Sequence, residues 1–282
     1  MANTHASLTA LFADIADAIR EKTGDTALII ADDFADVIRE RLDVKPFKPD
    51  GDSYLTFSSP NSFTLKVSDT AKHWDGTLEY FASNRTWITW NGTTTLSSID
   101  NGGEHVLYLR GTGNTNINGS NINYRWVLTG SDIACIGNIE NLLDYATVES
   151  GAHPTMVNYC YFGMFYGCAS LTKAPALPAT TLAESCYEGM FQNCTGLTQA
   201  PALPAMTLTD LCYQSMFRGC TSLKLSSTQT VEYTQEYRIP SSGEGTTAFE
   251  PLKNMFVSTG GTFTGTPEIN TTYYLSNTNT VV

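Results

Sequence analysis

Three copies of one 26-residue phrase leave this chain little freedom of architecture. In register they read CYFGMFYGCASLTKAPALPATTLAES from Cys160, CYEGMFQNCTGLTQAPALPAMTLTDL from Cys186 and CYQSMFRGCTSLK from Cys212. A fixed period of this size marks a stacked-repeat protein, whose units are too small to bury their own apolar faces and cover one another. Positions identical in all three copies are therefore core positions. They are Cys160/Cys186/Cys212, Tyr161/Tyr187/Tyr213, Met164/Met190/Met216, Phe165/Phe191/Phe217, Cys168/Cys194/Cys220 and Leu171/Leu197/Leu223. Within a unit the apolar residues recur at helical spacing, which predicts a helix of about three turns. Thr181 with Glu184, and Thr207 with Asp210, read as N-terminal caps of such helices. Gly167, Asn193 and Gly219 read as the left-handed residues that end them. The run Ala200-Pro201-Ala202-Leu203-Pro204-Ala205 forbids helix and predicts an extended return.

The positions that differ between copies are as informative. Phe162/Glu188/Gln214 and Tyr166/Gln192/Arg218 lie four residues apart, on one face of the expected helix. Such a stripe is either a solvated face that varies freely or a face that reads a ligand. Phe162 and Tyr166 are aromatics where solvent alone asks for none. These six side chains are the candidate receptor-binding residues.

The pattern MF-x-x-C-x-x-L-x-x-A-P-x-L-P-A-T-T-L, recurring over about residues 152–224, resembles the leucine-rich repeat of the BspA-like (Treponema-type) family. That resemblance implies a curved α/β solenoid used for surface adhesion and protein contacts, with no enzymatic activity.

Composition narrows the function. A chain of 282 residues accommodates two or three modules. Its net charge of −12 and pI near 4.6 repel nucleic acid and anionic lipid. No stretch approaches the ~20 apolar residues that a membrane-spanning helix needs, so no membrane insertion is expected. Six of the seven cysteines fall in the two repeat columns and Cys135 stands apart, none with close C-x-x-C spacing. Buried free thiols are the expectation, with no metal and no cofactor. His5, His73, His105 and His153 sit in no metal or nucleophile motif, and G-x-S-x-G, H-E-x-x-H and Walker sequences are absent. A glycosidase would have to rest on two facing carboxylates, which a sequence does not display. The reading is of a protein that is not an enzyme.

Taken in order, residues 4–23 carry Leu8, Leu11, Phe12, Ile15 and Ile19 on one helical face, and a second short helix is expected around Phe34–Leu42. Two short helices bury too little to stand alone, so these apolar residues are candidates for contact with a partner protein or another copy, or for packing as a hairpin on the chain's own β domain. The wording LTALFADIADAIREKTGDTALIIADDFADVI resembles the N-terminal segment of phage tail and baseplate proteins, which implies attachment to a particle. The prolines and charges of Lys45–Asp52 read as a linker. Short β-rich runs from Ser53 to Gly137, with Asn- and Gly-rich turns between them, predict a sandwich. Trp87 and Trp90 point to opposite faces of one strand, so one is expected in the core. The other is a candidate ligand platform unless a second sheet, the solenoid end or a neighbouring subunit covers it. Residues 133–145 read as a degenerate opening half-repeat. Met255-Phe256 reads as the return of the repeat in an atypical fourth unit that caps the array, and the ending after Arg238 also resembles the close of phage repeat proteins.

The expected fold is α+β and multidomain. It has an N-terminal helical segment (1–44), a linker (45–52), an antiparallel β-sandwich (53–137), a short α/β leucine-rich-repeat-like solenoid (138–224) and a C-terminal capping region (225–282). The expected function is a structural virion protein of a tailed phage. It would be made in the host cytoplasm without a signal peptide, form a homo-oligomer, and bind a host surface protein or glycan through the repeats. A purely architectural tail, baseplate or head-decoration subunit and a bacterial surface adhesin are the alternatives.

Overall fold

The computed structural model describes residues 15–17, 21 and 46–282 apart from 70 and 122. The chain divides into two units, Met1–Lys48 and Pro49–Val282. In the first, residues 15–17 and 21 are helical and Ile15 is half-buried. Leu8, Leu11, Phe12, Ile19 and the rest of the expected helical segment lie outside the described residues.

The second unit begins with strands β1 (Leu55–Ser59), β2 (Thr64–Val67), β3 (Thr77–Phe81), β4 (Trp87–Trp90), β5 (Leu96–Ser97), β6 (Ile99–Asp100), β7 (His105–Thr112), β8 (Trp126–Thr129) and β9 (Ile133–Ile136). They form two sheets, one ordered β9-β1-β7-β3-β4 with β6 on β7, the other β5-β2-β8. Strand alternation places Leu55, Phe57, Leu78, Trp90, Leu107 and Leu109 on the inner side of the large sheet, where all are buried. Leu65, Val67, Leu96, Trp126 and Leu128 are the buried side chains of the small one. Trp126 joins the two layers, its ring 6.3 Å from Phe57 and 5.6 Å from Trp90.

The repeats correct the expected fold class. They contain no α-helix, and the described residues of the second unit are β-sheet and turn with one helical segment, α1 (Asn141–Glu149), broken at Asp144 and lying against β7. In the first copy the Phe162, Met164, Tyr166 and Cys168 amides each donate to the carbonyl three residues back, at 2.9–3.2 Å. The amides between them turn outward. Tyr159, Tyr161, Gly163, Phe165 and Gly167 donate to Glu184, Cys186, Glu188, Met190 and Gln192 of the next copy at 2.8–2.9 Å. Every fourth residue is left-handed: Tyr159 (φ 63°), Gly163 (58°) and Gly167 (76°), then Ser185, Gly189 and Asn193, then Leu211, Ser215 and Gly219. A left-handed residue in each turn is incompatible with an α-helix of L-residues. The chain instead forms a ribbon of linked four-residue turns, hydrogen-bonded sideways like a strand. The sequence misled because apolar residues at i, i+1, i+4 and i+5 suit a helix and a four-residue turn equally well. The supposed capping residues Thr181 and Glu184 have no helix to cap.

The ribbons stack with an axial direction. Leu211, Tyr213 and Phe217 donate to Phe249, Pro251 and Met255, and left-handed Glu250, Asn254 and Ser258 repeat the turn, so residues 250–258 form a fourth ribbon. Because each ribbon donates to the next, the first presents bare carbonyls. The β domain satisfies the central three. Cys160 O accepts from the Ile117 and Asn118 amides at 3.0 Å, and Met164 O from the Trp126 amide at 2.7 Å. Phe162 O accepts from Asn118 Nδ2 at 2.6 Å. Phe165 packs 6.1 Å from both Phe57 and Trp126, which makes the two cores continuous.

Behind the ribbons run β10 (Leu171–Lys173), β11 (Gln199–Ala200), β12 (Lys224–Ser226), β13 (Tyr233–Arg238), β14 (Gly260–Gly261), β15 (Thr272–Ser276) and β16 (Thr280–Val281). Parallel pairing of β9 with β10, β10 with β11 and β11 with β16 extends the large sheet into the solenoid. Strand β12 starts a second sheet ordered β13-β15-β12-β14. Asn279 ties the two together, donating through Nδ2 to Thr198 O and Ser222 O and accepting from the Lys224 amide through Oδ1.

Inside, identical side chains stack on their copies. The Tyr161, Tyr187 and Tyr213 rings lie 5.4 and 5.8 Å apart, and Phe165, Phe191, Phe217 and Phe256 follow at 5.6–5.7 Å, all within 10° of parallel. All seven cysteines are free and buried. Burial pushes their thiols up, to about 11 at Cys168 and Cys212, so they remain protonated and act as donors. Cys194 and Cys220 each donate to the Phe carbonyl of the preceding ribbon at 3.0 Å. The tyrosine column is less evenly served. Tyr161 and Tyr237 hydroxyls donate at 3.2 Å to Ile139 O and Pro201 O, whereas the buried Tyr187 hydroxyl has no partner among the described residues. Tyr187→Phe is expected to leave stability unchanged or raise it by up to about 1 kcal/mol, and Tyr161→Phe to lower it by about 1 kcal/mol. Paired urea melts check the opposite signs.

Candidate functional recognition surface

Along the middle of the turn ribbon three residues of each four are buried and one faces outward. Residues 160, 161, 164 and 165 are buried, and Phe162 and Tyr166 face outward beside left-handed Gly163 and Gly167. The axial hydrogen bonds bring the outward copies into two columns. One reads Phe162, Glu188, Gln214, Lys253 and the other Tyr166, Gln192, Arg218, Val257. All six repeat residues picked out from the sequence lie in these columns. Lys253 and Val257 join them through the fourth ribbon, and the returning Met255-Phe256 was the signal for both.

Along the axis the first column runs from aromatic to acid to amide to base. Phe162 and Tyr166 are half-buried. Phe162 packs edge-on to Tyr159 at 5.9 Å, and the Tyr166 hydroxyl accepts from Asn193 Nδ2 at 3.3 Å. Arg125, from the loop before β8, holds its guanidinium carbon 5.5 Å from the centre of the Tyr166 ring. Glu188 accepts from Gln214 Nε2 at 3.0 Å. Burial raises the Glu188 carboxyl, outweighing the hydrogen bond from Gln214 that lowers it. A carboxylate kept half-buried against that cost, and oriented by the next copy, is poised to accept a donor from outside. Arg218 and Lys253 are exposed at the far end, Lys253 paired with Glu250 at 2.7 Å.

The two tryptophans part company. Trp90 is 1% exposed, donates through Nε1 to Thr94 O at 2.8 Å and cannot reach a ligand. Trp87 lies on the opposite sheet face, half-buried, with the Arg110 guanidinium 4.2 Å from its ring centre. The same guanidinium sits 4.2 Å from the Tyr145 ring, and its Nε donates to Glu79 at 2.8 Å. One ring face of Trp87 is thus covered by a cation of its own chain, which leaves at most the other face for a ligand.

For catalysis the surface offers little. A groove of about 290 Å³ between Asn114, Asp144 and His153 presents one carboxylate and one imidazole. Buried Glu140 holds His153 Nδ1 at 2.8 Å, so that imidazole is engaged from behind. Among the described residues, no three His, Cys, Asp or Glu side chains gather as metal ligands, and no helix is long and apolar enough to cross a membrane. No family model, no curated protein and no solved structure matches the chain.

Proposed function

We propose that this chain is an outward-facing recognition protein of a tailed-phage particle, which holds a host surface molecule against the double column of residues 162–257. The observation that carries the reading is the contrast within one ribbon. Side chains facing inward are identical from copy to copy, whereas those facing outward change at every step on a backbone clamped by axial hydrogen bonds. A rigid surface with varied, spaced groups loses little entropy on binding. The resemblance of the repeats to adhesion repeats and of the first forty residues to tail and baseplate proteins supplies the setting. Attachment of several copies to a particle would multiply weak contacts into avidity. The acidic net charge, −12, favours a neutral or basic ligand such as a wall glycan or a protein loop.

The test is a double substitution, Phe162→Ser with Tyr166→Ser. Loss of two aromatic anchors is expected to weaken binding to host cells roughly tenfold or more. The melting temperature should stay within a few degrees, because both side chains lie outside the core. Unchanged binding by a folded variant would leave the architectural role as the better account.

A further inference from the structure

The axial ladder has a second end. The last ribbon must present amides, just as the first presents carbonyls. The segment after β14 folds back over two of the five. The Asn254 amide donates to Thr266 Oγ1 and the Phe256 amide to Gly265 O, both at 2.8 Å. The amides of Glu250, Leu252 and Ser258 stay uncovered among the described residues, the first two beside each other. The amides of Glu250 and Leu252 occupy the ladder positions of Leu211 and Tyr213, which donate to Phe249 O and Pro251 O, yet they make no hydrogen bond among the described residues. A groove of about 450 Å³ opens at this place, walled by Ala248, Leu252, Pro267 and Ile269, with exposed Lys253 and Glu268 beside it.

We propose that this groove binds a peptide segment of another protein, which extends the ladder by half a ribbon and lends its carbonyls to the Glu250 and Leu252 amides. Two donors two residues apart, with apolar walls, match the carbonyl spacing of a polypeptide and the side chain between them. In each earlier step of the stack that is what the same two amides bind. An anion is disfavoured by Glu268 at the groove and by the net charge of −12. A second copy stacked end to end is disfavoured as well. Its carbonyl end is already covered by the Ile117, Asn118 and Trp126 amides. The proposal does not rest on the outward columns, although Lys253 borders both surfaces.

The experiment uses the full-length chain, labelled with nitrogen-15, and a blocked synthetic peptide copying residues 248–253 (AFEPLK). Those residues already offer their carbonyls to the third ribbon. In the free protein the Glu250 and Leu252 amides are expected to exchange with solvent much faster than those of Tyr187 and Tyr213. Saturating peptide should shift both resonances downfield and slow their exchange roughly tenfold, without moving Tyr187 or Tyr213. Ala248→Trp, which fills the groove, should abolish the effect, and Ile269→Trp serves if that variant does not fold. Slow exchange at both amides in the free protein, no saturation up to millimolar peptide, or binding that leaves these two resonances unmoved would each overturn the proposal.

Discussion

Truncating Phe191 to alanine is expected to cost about 3–5 kcal/mol, the range for a fully buried aromatic whose site cannot collapse. The site cannot collapse because rings at 5.7 Å hold it from both sides, Phe165 before and Phe217 after. Its neighbours are fixed in turn by axial hydrogen bonds, since the Phe191 amide donates to Met216 O at 3.0 Å and the Phe165 amide to Met190 O at 2.9 Å. The void would therefore remain open and separate the β domain with its first ribbon from the last two. Stacking adds about 0.5–1.5 kcal/mol per aromatic pair beyond the area buried, so this position loses two such terms. Chemical denaturation followed by tyrosine and tryptophan fluorescence checks it. A loss below about 1 kcal/mol would mean that the stacked column contributes little and that the sheet alone holds the repeats.

Gly111→Ala is expected to be at least as damaging, at about 4 kcal/mol or more. Gly111 lies on β7 beneath the first turn of α1, and a Cβ there would sit 1.7 Å from Leu142 O and 2.8 Å from Asn114 Nδ2. Neither atom can retreat. Asn114 Nδ2 donates to Leu142 O at 2.9 Å and to Thr77 O at 2.7 Å, while its Oδ1 accepts from the Gly76 amide at 2.6 Å. One methyl group would thus push apart β3, β7 and α1 together. Gly113→Ala, two residues on, is the control: its φ of +62° is unfavourable for alanine, but no atom lies within 4 Å of the added Cβ. That variant should lose only about 1 kcal/mol. Thermal melts of the two proteins side by side decide the matter, and equal losses would place the damage in backbone conformation instead of the clash.

The sequence showed which side chains belong inside, although it misjudged what encloses them. Cys160, Tyr161, Met164 and Phe165 were separable from Phe162 and Tyr166 by comparing three copies, and the structure sets both groups on the sides so indicated. The helix expected around them does not form. A hint of its failure was present at Gly163 and Gly167, four residues apart, and at Gly189 in the next copy, where glycine permits the left-handed backbone that each turn needs. Elsewhere that backbone is taken by Tyr159, Ser185, Leu211 and Glu250, which no local preference would nominate. The tryptophans teach the same lesson. Strand alternation put Trp87 and Trp90 on opposite faces, but it took Trp126 from the second sheet and Trp74 to bury Trp90, and Arg110 and Phe81 to pack on Trp87.

The sequence by itself determined the period, the inner columns and the outward stripe, because a side chain that must fit its own copy in the next coil cannot vary and one facing outward can. Tertiary structure decided the form of the backbone, the merging of the β domain with the solenoid, and the open amides at the far end. The physical reason is that half of each ribbon's amides find their carbonyls one coil away, and a partner 25 residues distant leaves no trace in local periodicity.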